Sequence, residues 1–574
     1  MNLSDEVKQT GDDKMHFTDV YVGVVKLVIY RLFRLVFNLI RGIFWILNGT
    51  LLDQWKANDP ENYDRSAQIY DIVYRYKFDL VLGQASFEDF VLIHPRFVHP
   101  MYLLRDECLL YQVTPTHAIF VQVDDGVAIW RSEHGSFLRQ SQFQLAKNVI
   151  TLPLHAVVRL ADELRPLDEE KLIFIQNTAR CGSTLLVRMF ELTGRCMSLS
   201  EPDAINGICK LAKARRTWDA ETSQRLVRAI VRLLCKSDSS LPRNPLAYVL
   251  KMTAPSIEAA PFLAAAFPEA YHLFMYRDCI SMAKSLAIAA EVMPTLKLVS
   301  LLGSISAKGL QFAVSQMGCS NTEYTMKLTG HPYETGIVLY SITVRNYLKM
   351  LEQGIPIAGV RYEDLADDPE YFIEKILKYC QLPVDLSTAA LMALRDDAQR
   401  NSPLSISSLK SKNKNYSMTP KVAEIMDRYL QEIGVPTEEA PVLPNTITHR
   451  AGYDDSQVPD QGSGREHREE SASITTDKQS TSARSEDGKE GKPTSQAGGV
   501  RKVKLITTLK TTKTRNDVIV TTSRIPKNNG VLSRETPMTD PEESKAPPGA
   551  DDQKSFSHDT GDSEVPSIHN LVDF

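Results

Sequence analysis

The chain has 574 residues, 43% of them hydrophobic, and a formal net charge of −5. That balance argues against nucleic acid as a main partner and leaves room only for local basic sites. Its eight cysteines form no C-x-x-C pair, which argues against a zinc site and against a disulfide framework, so no metal is expected.

Residues 1–19 read as a short N-terminal tail. Residues 20–52 form one apolar run, VYVGVVKLVIYRLFRLVFNLIRGIFWILNGTLL, interrupted by Lys26, Arg31, Arg34 and Arg41. Those charges rule out a cleavable signal peptide. Arg31, Arg34, Asn38 and Arg41 recur at helical spacing, and the other faces carry Leu, Val, Ile, Phe and Trp45. The pattern predicts a membrane-associated helix lying in the interface, its arginines towards anionic headgroups. A spanning anchor is the alternative, opposed by the roughly 2.5–3.5 kcal/mol that a central arginine costs.

Residues 60–165 form a small β-rich accessory unit. CLLYQVT, HAIFVQV and VAIWR are short runs of strand formers, separated by Pro-Thr and Asp-Asp-Gly turns. No catalytic constellation stands out, and the unit is expected to cover the next one or to shape acceptor access. Residues 166–440 change rhythm: LIFIQ, AYVLKMT, YHLFMYR and PIAGVRY alternate with helical segments. That alternation predicts an α/β fold, a parallel sheet covered by helices, with ligands beyond the carboxyl ends of its strands. Residues 445–574 are polar and almost free of aromatics, the composition of a disordered tail. Inside it, VRKVKLITTLKTTKTR reads as a solvated basic stretch.

LIFIQ leads into NTARCGSTLLVRMFEL, a strand, a short loop and a helix. This is a P-loop-like arrangement, in which backbone N–H groups and a helix N-terminus face an anion. Arg180, Cys181, Gly182, Ser183 and Thr184 are the candidate binding residues. No lysine follows Gly182, so the triphosphate pattern is not met and a nucleotide kinase or ATPase is disfavoured. After YHLFMY, Arg277 and Ser285 stand eight residues apart, a strand-end fork followed by a hydroxyl two turns into a helix.

The run T-A-R-C-G-S-T and the Arg277/Ser285 pair, in this order, resemble the sulfotransferase superfamily. So does GVRYEDLADDPEYFIEKILKYC, read as mainly structural, with Asp368-Pro369 starting a helix and Ile373, Ile376 and Leu377 packing inward. The resemblance covers residues 170 to 385. Ala179 replaces the family's usual proline, and Cys181 a frequent serine. It implies 3′-phosphoadenosine 5′-phosphosulfate (PAPS) as cosubstrate, with the 5′-phosphosulfate on residues 180–184 and the 3′-phosphate on Arg277 and Ser285. No metal requirement is implied.

By the same resemblance Arg180 stabilises charge and Lys251, in VLKMTAP, sits near the sulfuryl group. Thr253 stands where cytosolic members carry a base histidine. Glu201 follows Arg180 by 21 residues, the interval of the base in tyrosylprotein-type, Golgi enzymes. Glu201, Arg180 and Lys251 are therefore the catalytic candidates. The expected acceptor is a hydroxyl on a glycan, a protein or a small molecule, with carbohydrate or protein tyrosine preferred. The expected location is membrane-associated, the Golgi being the compartment this branch suggests. Acceptor contacts are expected within residues 295–335, where His331 is read as a loop histidine. The competing reading is a membrane-associated pseudoenzyme, a scaffold that keeps the fold without turnover.

Overall fold

The computed structural model describes residues 18–208, 211, 219–236, 244–316, 327–410, 416–435 and 441–449. The basic stretch of the tail and nearly all of the N-terminal tail lie outside them. Two five-stranded sheets organise the rest. The first is antiparallel, in order β2-β1-β5-β4-β3, built from β1 (Ala67–Arg75), β2 (Phe90–Val98), β3 (Cys108–Val113), β4 (His117–Gln122) and β5 (Asn148–Pro153). The second is parallel, in order β10-β9-β6-β8-β7, built from β6 (Leu172–Asn177), β7 (Cys196–Ser200), β8 (Ala247–Lys251), β9 (Tyr271–Tyr276) and β10 (Ile357–Arg361).

All six residues of β6 are buried, as expected of a central strand covered on both faces. Along β9 the side chains alternate between two cores. Phe274 and Tyr276 join the helices Cys279–Ala290 and Pro332–Glu352 on one face; Leu273 and Met275 join the helices Ser183–Leu192 and Pro369–Tyr379 on the other. This is the α/β architecture expected from the sequence. The helix Pro369–Tyr379 starts at Asp368, whose carboxylate accepts from Tyr371 N–H at 3.2 Å, and Ile373, Ile376 and Leu377 are buried.

The β-rich unit is packed into the same core as its neighbour. Ala67, Ile69, Phe120 and Ile150 share one apolar cluster with Phe174, Met197 and Leu250 of the parallel sheet. One of its expected strands is absent. Val127–Arg131, the VAIWR run, is a turn in which Val127 N–H donates to Asp124 and Ile129 N–H to Val127. Ile129 and Trp130 are buried there, so their apolar character reports packing rather than pleating. The chain is also ordered slightly beyond the expected boundary: Asn445 Nδ2 donates to Ile357 O, and Ile447 N–H to Gly359 O. Residues 445–447 thus line the free edge of β10 instead of opening the tail.

The N-terminal run forms α1 (Thr18–Leu47) and α2 (Thr50–Ala57). Among the described residues no single helix is long and apolar enough to cross a membrane. The arginine face points opposite to expectation. Arg34 Nε donates to Phe90 O at 3.1 Å, Arg41 donates to Leu92 O, Tyr30 Oη donates to Glu88 O at 2.9 Å, and Arg31 pairs with the Glu88 carboxylate. These acceptors lie on β2 and the residues leading into it, the edge that lacks a strand partner. Open edges leave carbonyls to be satisfied, and α1 satisfies them. Its outward face carries Val25, Ile29, Leu32, Val36, Leu39, Ile43 and Phe44, each about half exposed or more, and Leu51, Leu52 and Trp55 of α2 extend it.

Candidate active site

Four strands of the parallel sheet end beside one another, and each delivers a functional side chain at its carboxyl end. β6 runs into the loop Thr178–Gly182 and then α5 (Ser183–Leu192), where α3 (Leu138–Leu145) and α4 (Leu154–Asp162) belong to the first unit. The loop is wound tightly: Ala179 and Arg180 have φ of 69° and 47°, and Gly182 has 76°. For the first two this left-handed backbone is disfavoured, so it persists only where the surroundings impose it. Asn177 supplies part of that constraint, accepting from Ala179 N–H at 2.9 Å and donating to Met252 O at 2.7 Å. At Gly182 a Cβ would come within 2.7 Å of the Tyr362 ring, so glycine is required for space as well as for φ.

Arg180 is half-buried. Its Nε donates to Ser285 Oγ at 3.0 Å and its Nη1 to Gln399 Oε1 at 2.7 Å. Burial, and then the nearby charge of Arg277, pull its pKa down to about 10. Ser183 and Thr184 open α5 and are buried, with the Thr184 hydroxyl 3.4 Å from Gln399 Nε2. The Cys181 side chain does not face a ligand: its Sγ donates to Met275 O at 3.2 Å, and burial raises its pKa. Cys181 itself is among the residues that line the cavity.

Arg277 follows β9. Its guanidinium lies 4.7 Å over the Tyr362 ring and 4.0 Å from Glu363 Oε1, which also accepts from Asp278 N–H at 3.1 Å. Burial raises the pKa of Glu363. The Tyr-Glu-Asp-Leu run, read as structural, therefore puts an aromatic face between the phosphate loop and Arg277 and a carboxylate against it. Ser285 is buried in the helix Cys279–Ala290 and reaches the loop through Arg180.

β7, unrecognised in the sequence, ends at Ser200, and Glu201 follows with φ of 60°. Its N–H donates to Lys251 O at 2.7 Å. Its carboxylate faces two cations: Lys251 Nζ hydrogen-bonds Oε1, and Arg139 Nη2 forms an ion pair with Oε2 at 2.6 Å without hydrogen-bond geometry. All three are buried. Arg139 comes from α3 of the β-rich unit and has no signature in the sequence. Thr253, with no basic group of its own, bonds the Ser256 hydroxyl.

Arg180, Glu201, Lys251 and Arg139 line one partly open cavity of about 140 Å³, together with Phe137, Pro255, Leu286, Met293, Leu296 and Leu409. Arg277 and Ser285 are not on its wall. Of the segment expected to contact an acceptor, only Leu296 reaches it, and residues 317–326 lie outside the described residues. His331 caps the helix Pro332–Glu352, accepting from Tyr333 N–H, while Nε2 faces Ser417 O at 3.0 Å. No group of three or more His, Cys, Asp or Glu among the described residues is placed to hold a metal.

No family model and no curated protein matches the chain. Solved structures similar to it include a sulfotransferase of Mycobacterium avium, at 13% identity and a TM-score of 0.31, covering 52% of this chain and 84% of that one. The sulfotransferase domain of an olefin synthase from Synechococcus PCC 7002 is similar at 12% identity and a TM-score of 0.27, over 48% of this chain and 99% of that one. A sulfotransferase of Alicyclobacillus acidocaldarius is similar at 13% and 0.24, over 46% and 96%. These values describe remote likeness in shape, and the functional reading rests on the site's own residues.

Proposed function

We propose that this cavity takes PAPS and that the chain is a PAPS-dependent sulfotransferase acting on a hydroxyl. The observation that carries the reading is the meeting of Arg180, the N-terminus of α5 and the Lys251–Glu201 pair on one cavity wall. That donor set suits a phosphosulfate: a cation, two hydroxyls and an open helix end. PAPS, when bound, supplies a sulfur atom joined to a good leaving phosphate. In this reading Arg180, Ser183 and Thr184 hold the 5′-phosphosulfate in the cavity, and the 3′-phosphate reaches past its wall to Arg277 and Ser285, on the far side of Arg180.

Glu201 takes the proton of the acceptor hydroxyl as the acceptor oxygen bonds to sulfur. The bond from sulfur to the bridging oxygen breaks, and its electrons stay on the 5′-phosphate beside Arg180 and Lys251. The products are a sulfate ester and the 3′,5′-bisphosphate. Carbohydrate or protein tyrosine is the preferred acceptor, by resemblance to the branch with a glutamate base. Membrane attachment through the outward face of α1 and α2, in a Golgi location, belongs to the same proposal.

The two cations at Glu201 favour a second reading, a scaffold that binds nucleotide without turnover, because each carboxylate oxygen already faces a cation and neither is open to an acceptor hydroxyl. Incubation with radiolabelled PAPS and a panel of glycans, tyrosine peptides, sterols and phenols tests the two. Sulfated product supports the enzyme. Binding of the bisphosphate with no product on any acceptor supports the scaffold.

A further inference from the structure

Glu201 is held by side chains of two different units. Lys251 ends β8 of the parallel sheet, and Arg139 belongs to α3, above the antiparallel sheet. The two cations are not equivalent. Among the described residues the Lys251 ammonium makes its one hydrogen bond to Glu201, and its charge is felt at Cys181 of the phosphate loop. An ammonium on a flexible stem can turn towards a new anion. Arg139 is tethered: the nitrogen that approaches Glu201 also donates to Val81 O, and the guanidinium lies 5.9 Å from the Phe137 ring.

We propose that Arg139 is the positioning residue that keeps the Glu201 carboxylate ionised and aimed into the cavity when a bound anion draws Lys251 away. This rests on the sulfuryl-transfer reading. The charge count gives the reason. With both cations in place the cluster carries one excess positive charge, which an incoming phosphosulfate neutralises by taking Lys251. Glu201 is then left as a neutral pair with Arg139. Without Arg139 it would be a lone buried carboxylate facing an anion, and it would bind a proton or swing aside. Its left-handed backbone, at φ of 60°, needs such external fixing. The other charged groups on the cavity wall are Arg180 on the loop and Asp396 and Asp397 on the C-terminal segment. The β-rich unit is thereby a part of the catalytic centre and not a cover over it.

The test uses the full chain, Arg139→Gln and Arg139→Lys, with adenosine 3′,5′-bisphosphate as the probe. Calorimetry should give bisphosphate affinity within about threefold of wild type for both variants, since Arg139 does not hold the nucleotide. Infrared difference spectra, with Glu201→Gln as the blank, report the protonation of Glu201 in the bisphosphate complex. Removing a cation makes a carboxylate hold its proton more tightly, so the midpoint in Arg139→Gln should move up by about one pH unit, tenfold in proton affinity. Arg139→Lys should restore the midpoint. Without the guanidinium nitrogen shared between Glu201 and Val81 O, however, it should slow PAPS hydrolysis, with water as the acceptor, about tenfold. An unchanged midpoint in Arg139→Gln, with bisphosphate bound, overturns the proposal and leaves the transferase reading intact. If Arg139→Gln does not fold, wild-type hydrolysis by Arg139→Lys overturns it. Wild type that fails to bind the bisphosphate overturns the transferase reading itself.

Discussion

On α1, Arg34 and Arg41 end on main-chain carbonyls of an edge strand, whereas beside the parallel sheet Arg180 ends on the side chains of Ser285 and Gln399 and stands near a second cation, Arg277. Both sets are arginines at helical or strand-end spacing, and by residue type they are indistinguishable. A carbonyl of the folded backbone is a fixed, neutral partner, so Arg34 and Arg41 have no reason to leave it. Electrostatics alone does not divide the two sets: burial and a neighbouring arginine lower the Arg180 pKa to about 10, and they also lower that of Arg41. What differs is the partner: Arg34 and Arg41 meet carbonyls fixed in a strand, and Arg180 meets side chains that can rearrange.

The largest effect expected on the cavity side is at Glu201. Glu201→Gln should lower turnover by about 10²–10⁴-fold without weakening bisphosphate binding, because it removes the base, leaves every phosphate contact and frees Lys251 from its pair. Turnover near wild type would place the base elsewhere. On the α1 side, replacing Leu32, Val36, Leu39 and Ile43 by Gln should abolish flotation with neutral phosphatidylcholine vesicles and spare nucleotide binding. Since the arginines face β2, wild-type flotation should survive high salt. Salt-released binding would restore the reading in which the arginines reach headgroups. A smaller change is expected from Arg34→Ala, which strips a charge-assisted hydrogen bond from Phe90 O. The loss should be about 1.5–3 kcal/mol of stability, read from the denaturant midpoint, with bisphosphate affinity unaltered. An unmoved midpoint would mean that α1 does not stabilise the edge.

What could be read in the chain was what is local. Arg180–Thr184 and Arg277/Ser285 are set by short spacings at the ends of strands, and such spacings survive into three dimensions. Glu201 was reached through its interval from Arg180. Lys251 was reached through its place in VLKMTAP. Arg139 could not be reached, because it meets Glu201 across two sheets and nothing near it in sequence marks the contact. Gln399 and Tyr362 arrive at the loop from far along the chain in the same way. The helical spacing of the α1 arginines was legible, but the direction they face was not. Their partners are backbone carbonyls of β2, which any residue supplies, so residue identity could not announce them.

The proposed nucleotide site stands on Arg277 and the loop Thr178–Gly182 acting together. Titration of adenosine 3′,5′-bisphosphate into wild type and Arg277→Ala, with divalent metal chelated, measures it most directly. Metal-independent binding by wild type is expected, and a loss of about 2–5 kcal/mol in the variant, if the buried Arg277 charge holds the phosphate as proposed. Equal affinity for the two proteins, or no binding by either, would contradict it.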